Sequence, residues 1–198
     1  MNRDTIKQVT YDPALNAGAR NAVQVCLRVQ PNEQVAIIAD AAGLDIAAAL
    51  VAQVEAVGAR YRVFVLEELS PRPLAHMPAA VLADLETSQV SLFAAQAQRG
   101  ELRSRMEMME VVNRRRLRHG HMVNITPQIM QQGMLADFLE VDRLSQAVIE
   151  KARRARMIRA TSTGGTEIAA AFAPNLKWVK TSGLITPDKW GNLPGGEV

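Results

Sequence analysis

Gln34-Val35-Ala36-Ile37-Ile38-Ala39 decides the fold, because five of its six residues are apolar. Such a short run, opened by the Pro31-Asn32-Glu33 break, predicts a strand buried on both faces, as in a parallel sheet. Immediately after it, Ala47, Leu50, Val51, Val54 and Val57 recur at helical spacing and predict a helix over 44–57. Gly58 stands where a helix C-terminus favours glycine. A second β-branched and aromatic run follows over 60–66. Strand, helix and strand at this rhythm imply right-handed crossovers.

The same alternation extends both ways. Upstream, Leu15, Ala19, Ala22, Val23 and Cys26 form one apolar stripe and predict a helix over 14–29. Downstream, Ser70-Pro71-Arg72-Pro73 is a loop, Pro78 opens a short helix to residue 86, and 89–94 reads as a third strand. The longest helix is expected over 101–118 with Leu102, Met106, Met109 and Val112 inward, followed by a fourth strand over 121–125. The fold class is therefore α/β: a mostly parallel four-stranded sheet with helices on both faces. Beyond it the pattern changes. An amphipathic helix over 140–155 precedes two strand-like runs, 157–162 and 166–172, joined across Thr163-Gly164-Gly165, a hairpin signal. Residues 1–137 are read as an α/β domain and 138–198 as the start of a second, mixed α+β domain.

Composition narrows the classes. The apolar fraction of 48% supports a packed core, and with aromatics at only 4% that core rests on aliphatic residues. No apolar run approaches the ~20 residues that span a bilayer. The start Met1-Asn2-Arg3-Asp4 shows no secretory pattern, and Cys26 stands alone, which excludes an internal disulfide and a cysteine-based zinc site. A cytoplasmic protein with no membrane partner is expected. Of the charges, 13 basic and 7 acidic side chains fall in residues 99–159. The spacing of Glu101/Arg105, Arg103/Glu107 and Glu110/Arg114 interleaves both signs on one helix, so a solvated face is expected there and no nucleic-acid partner.

Chemistry-bearing motifs are few. Asp40-Ala41-Ala42-Gly43, after the first strand, has one glycine and matches neither a dinucleotide fingerprint nor a P-loop; Asp40 reads as a strand-end or helix-start residue. His119 and His121 would share a face on a strand, but no third metal ligand lies near them, and His119 is expected in the last turn of the arginine-rich helix. His76 reads as a loop residue. There is no Gly-x-Ser-x-Gly elbow, and Cys26 lies on an apolar stripe, so no serine or cysteine nucleophile is supported. The methionines of residues 106–134 read as core. What remains is Trp190-Gly191-Asn192-Leu193-Pro194-Gly195-Gly196-Glu197-Val198, where a Pro-Gly-Gly turn permits close backbone approach and aims one carboxylate, Glu197. The chain reads as stopping at the edge of a site.

Three blocks of the closing third carry a family resemblance: Thr161-Ser162-Thr163-Gly164-Gly165-Thr166-Glu167, Gly183-Leu184-Ile185-Thr186-Pro187 and Trp190 to Val198. Together they resemble the aminopeptidase T (leucyl aminopeptidase) family of metallopeptidases. The resemblance implies a hydrolase that removes N-terminal residues from peptides, using two divalent metal ions (zinc, cobalt or manganese) and acting as a homodimer. It assigns Glu197 as a metal ligand and places the other ligands beyond Val198, so no catalytic residue is assigned here and this chain alone is expected to be inactive. Two alternatives stand beside it. One is a non-catalytic α/β binding or dimerisation domain. The other is an iron-dependent dihydroxypyridine ring-cleaving dioxygenase relative, in which Glu197 would not be expected.

Overall fold

In the computed structural model, which describes residues 3–198, strand β1 (Gln34–Ala39) lies inside the main sheet with a strand on either side. Met1 and Asn2, part of the polar start, lie outside the described residues. Alternation along β1 sends Val35, Ile37 and Ala39 into one core layer and Ala36 and Ile38 into the other. Both faces are therefore covered, as the apolar run requires. The first layer is completed by α2 (Leu15–Arg20), continued by a wider π-turn over Asn21–Cys26, and by α3 (Leu44–Val57). The second is completed by α5 (Ala79–Leu85) and α6 (Leu102–Arg115). A short α1 (Arg3–Lys7) precedes α2.

Helix α3 shows why local sequence sufficed. Its buried positions include Ile46, Ala47, Leu50, Val51 and Val54, and it stops at Gly58, which is left-handed with φ 80°. The Gly58 N–H donates to Glu55 and Val54 carbonyls, and Ala59 N–H reaches back to Val54 O at 3.2 Å, closing the helix end.

The main sheet has five parallel strands in the order β2-β1-β3-β4-β7: β2 (Arg60–Val65), β3 (Val90–Ala94), β4 (Arg118–His121) and β7 (Gly191–Asn192). The mostly parallel α/β sheet expected from sequence is present, with one strand more than the four expected. The fifth is supplied by the Gly-rich end of the chain: Gly120 pairs with Gly191 and His121 with Asn192. Two residues are too few to register as a strand by pattern, so tertiary pairing alone defines it. A short α4 (Leu66–Leu69) takes the chain out of β2, and α7 (Pro127–Gln131) follows β4.

Two expectations shift. The fourth strand starts three residues earlier than expected and ends at His121 in place of 125, so His119 is on a strand and not in a helical turn. Helix α6 buries Ser104, Met108, Val111 and Val112 and leaves Leu102 (63% exposed) and Met106 (57%) outside. Polar anchors turn the helix: buried Glu101 at its start and Glu107, which accepts from Met77 N–H at 2.9 Å.

After α8 (Phe138–Ala152) come β5 (Met157–Thr161) and β6 (Glu167–Ala171), an antiparallel pair joined through Gly165 at φ 92°. The hairpin expectation is met in register, with Met157 opposite Ala171 and Thr161 opposite Glu167. Among the described residues no helix is long and apolar enough to cross a membrane.

Candidate functional site

The carboxyl ends of β1 and β3 flank the point where strand order reverses, the usual ligand crevice of an open parallel sheet. Here the protein fills that position itself. Arg72, its side chain only 4% exposed, donates to Glu101 through Nε (2.8 Å) and Nη2 (2.6 Å), to Asp40 Oδ2 (3.1 Å), to Glu67 Oε1 (3.2 Å) and to Gln96 O. Asp40 also accepts from Gln96 N–H at 2.6 Å and, through Oδ1, from Gly43 N–H at 2.9 Å. Asp40 is thus the cap of the turn after β1, the role its position suggested. The hydrogen bonds from Arg72 hold the Glu101 carboxyl at about 2 and raise the guanidinium further above its usual range. Glu101 was expected to pair with Arg105 and Glu110 with Arg114. Arg72 takes Glu101 instead and Glu86 takes Arg114 at 2.5 Å; of the three expected helix pairs, Arg103–Glu107 is formed, at 3.4 Å. Nothing in the spacing along α6 announces a partner 29 residues upstream.

The two histidines do meet. Strand periodicity puts both on one face of β4, with His119 Nε2 and His121 Nδ1 3.1 Å apart and Ser91 Oγ 2.8 Å from His119 Nδ1. His121 stacks on Phe93 at 5.3 Å and meets Trp190 edge-on at 5.9 Å. Burial pushes His119 well below the usual imidazole range. Burial, then the nearby Arg105 charge, lowers His121 to about 4. Both rings are neutral near pH 7 and packed. His76, expected in a loop, lies between α4 and α5, exposed, with Nδ1 2.7 Å from Glu107 Oε1. Burial raises the Cys26 thiol to about 12, which suits an inert core residue.

The Gly-rich end is built by close backbone approach. Gly183, at φ 85°, lies under the Phe138 ring, where a Cβ would come within 2.6 Å of Cδ1. Gly195 in turn lies on Gly183, and a Cβ there would stand 2.7 Å from the Gly183 nitrogen. What the Pro-Gly-Gly turn approaches is this backbone. One step on, Glu197 and Thr181 form an antiparallel bridge, N–H to O at 2.9 and 3.0 Å, and Thr181 Oγ1 donates to Glu197 Oε2 at 2.9 Å. Glu197 is exposed. Next to Thr181 in the chain, Ser182 donates its hydroxyl to Asp142 on α8, which also accepts from Lys180 Nζ at 2.9 Å. These two donors hold the Asp142 carboxyl below the usual range. Asp142 escaped the sequence reading because its partners are about 40 residues away. Its one local signal was an acid on the polar side of an amphipathic helix.

Among the described residues no group of three or more His, Cys, Asp or Glu side chains stands close enough to hold a metal ion. Glu197 has a threonine hydroxyl as its side-chain partner. This set does not by itself fit a two-metal centre, which needs several ligands converging on each ion.

The fold is similar to that of wild-type AmpT from Thermus thermophilus, with a TM-score of 0.61, 15% identity and coverage of 92% of this chain and 59% of that one. The relation is one of fold. The chain spans less than two thirds of the length of AmpT. A fatty acid ABC transporter substrate-binding protein from Thermomonospora curvata is matched with a TM-score of 0.41 and 13% identity, over 74% of this chain and 42% of that one, too slight a likeness to carry an argument. No protein-family model matches the chain. No curated protein matches it.

Proposed function

We propose that this chain is the N-terminal portion of a metal-dependent aminopeptidase, cytoplasmic and dimeric, that acts on peptides. The observation that carries the reading is the AmpT-like fold across 92% of the chain, which agrees with the motif resemblance of residues 161–198 to the aminopeptidase T family. The exposed Glu197 carboxylate, steadied by the Thr181 hydroxyl, is the group offered toward further ligands. In that family two divalent cations would supply carbonyl polarisation and an activated water. The described residues do not complete such a centre, so no step is routed through it. What this chain contributes is positional: the Gly183–Gly195 contact and the Thr181 bridge set where the carboxylate stands.

The test is leucine p-nitroanilide hydrolysis with added zinc, cobalt or manganese, for this chain and for one extended to the length of AmpT. The extended chain is expected to turn over and to lose metal content and activity together on Glu197→Ala, while residues 1–198 alone stay inactive. Full activity of the extended Glu197→Ala variant would remove the assignment. A second reading, a non-catalytic binding or dimerisation domain, is favoured by one observation: the switch-point crevice is filled by Arg72. An inactive extended chain would select it. The iron-dependent dioxygenase reading has less support, because Glu197 favours the peptidase branch.

A further inference from the structure

The chain from the last turn of α8 into β5 carries a run of charge that the peptidase reading does not use: Lys151, Arg153, Arg154, Arg156 and Arg159, with no acid among residues 151–159. Arg153 is neutralised by Glu150 at 2.7 Å. Among the described residues, Arg154 and Arg156 make no ion pair or side-chain hydrogen bond. Beside them the chain after β6 folds back and places Phe172 and Trp178 in contact, ring centroids 4.8 Å apart and tilted by 57°. Arginines and rings, with Leu176, line one cleft of about 170 Å³. Its walls are tied together, since Phe172 N–H donates to Arg156 O at 3.0 Å and Leu176 N–H to Ala173 O at 3.1 Å.

We infer that this cleft binds a small oxyanion, carboxylate or phosphate, carried on a single planar ring. The charge argument is direct: guanidinium groups present forked donors that match an oxyanion, and two of the three here are uncommitted. The aromatic wall supplies a face for a ring and, through the nearby arginines, a site already suited to planar groups. Size sets the limit. Pockets for drug-sized ligands run to roughly 300–1,000 Å³, so this cleft is too small for a dinucleotide or a cofactor of that bulk. The carbonyl end of α8 works against an anion, and the Arg153–Glu150 pair at that end adds no net charge. Recognition therefore rests on Arg154 and Arg156. The inference is independent of the aminopeptidase reading.

Trp178 makes it measurable. In a Trp190→Phe background, Trp178 is the sole indole, and its fluorescence is followed while phenyl phosphate, benzoate, inorganic phosphate or phenol is added at constant ionic strength. Saturable quenching by phenyl phosphate or benzoate is expected, and which of the two binds more tightly distinguishes phosphate from carboxylate. Inorganic phosphate is expected to bind more weakly, for want of the ring. Arg154→Gln with Arg156→Gln, both on exposed positions, should weaken the ring-bearing anion by about tenfold or more, the effect of losing charged hydrogen bonds. Phenol quenching as strongly as phenyl phosphate, no saturable response to either anion, or unchanged affinity in the double variant would each overturn the site. Circular dichroism of the double variant checks that its fold is retained.

Discussion

Arg72 is the residue on which most of the buried polar chemistry converges, and its value is easy to misjudge. Replacing a whole buried ion network by apolar groups is often neutral, whereas removing one partner strands a charge and is costly. Glu101→Ala leaves Arg72 with Asp40, Glu67 and the Gln96 carbonyl but strips its shortest ion-pair bonds, and a loss on the order of 3 kcal/mol is expected in urea unfolding. The same group shapes the acid response. The folded-state pKa of Glu101 lies below 4.5, so its contribution is complete above that pH and is lost as pH falls toward about 2. His121, lowered from 6.5 to about 4, acts earlier in the same direction: the fold favours the neutral ring, so stability is complete above 6.5 and declines as pH falls through 4. Stability against pH should therefore fall in two stages. His121→Phe should diminish the upper stage, leaving the part that the buried His119 contributes in the same direction, and Glu101→Ala should flatten the lower one; an unchanged profile in either variant would contradict this assignment.

At the scale of elements, α3 and β1 were legible because their patterns are local. Helix propensity, one apolar stripe and Gly58 all lie within one stretch of chain. Helix α6 was legible in extent but not in rotation. Its apolar residues at 102, 106, 109 and 112 form an acceptable stripe, yet Glu101 and Glu107 are anchored by partners from the loop at 72–77 and select the face with Ser104, Met108 and Val111. The Gly-rich end depends on contacts of the same long-range kind. Gly195→Ala would force a methyl to within 2.7 Å of the Gly183 backbone nitrogen, where no flexible side chain can yield. We expect a loss of about 1–3 kcal/mol, as for overpacking elsewhere, with hydrogen exchange accelerated at Glu197 N–H and Thr181 N–H. Protection unchanged at those two amides would show that the turn adjusts without cost.

Across the whole molecule, the closing segment ties the late part of the chain to the early part. Ile185 N–H donates to Cys26 O at 3.0 Å, Arg28 donates to Ile185 O at 3.1 Å, and Leu193 packs against Gly120 beside β4. A chain ending at residue 137 keeps both core layers around β1, and on that basis we propose that it folds. It loses β7 and the buried Phe138, Ile185 and Leu193, at roughly 1.5–3 kcal/mol for each large apolar side chain, and leaves β4 as an open edge. A cooperative melt at a clearly lower Tm than the full chain is expected by circular dichroism; a melt without cooperativity would show that the closing segment is part of the folding unit. The sequence alone determined the parallel α/β class, the order of its elements, the hairpin and the turn that presents Glu197, because periodicity, caps and turn residues act over a few positions. Tertiary structure alone decided the fifth strand, the face of α6, the Arg72 network in the switch-point crevice and the packing of His121 on Phe93 and Trp190. Each of those joins groups that are distant in the chain or set by strand register, and such pairings are chosen by burial and by the cost of leaving a polar group unpaired, which no local pattern records.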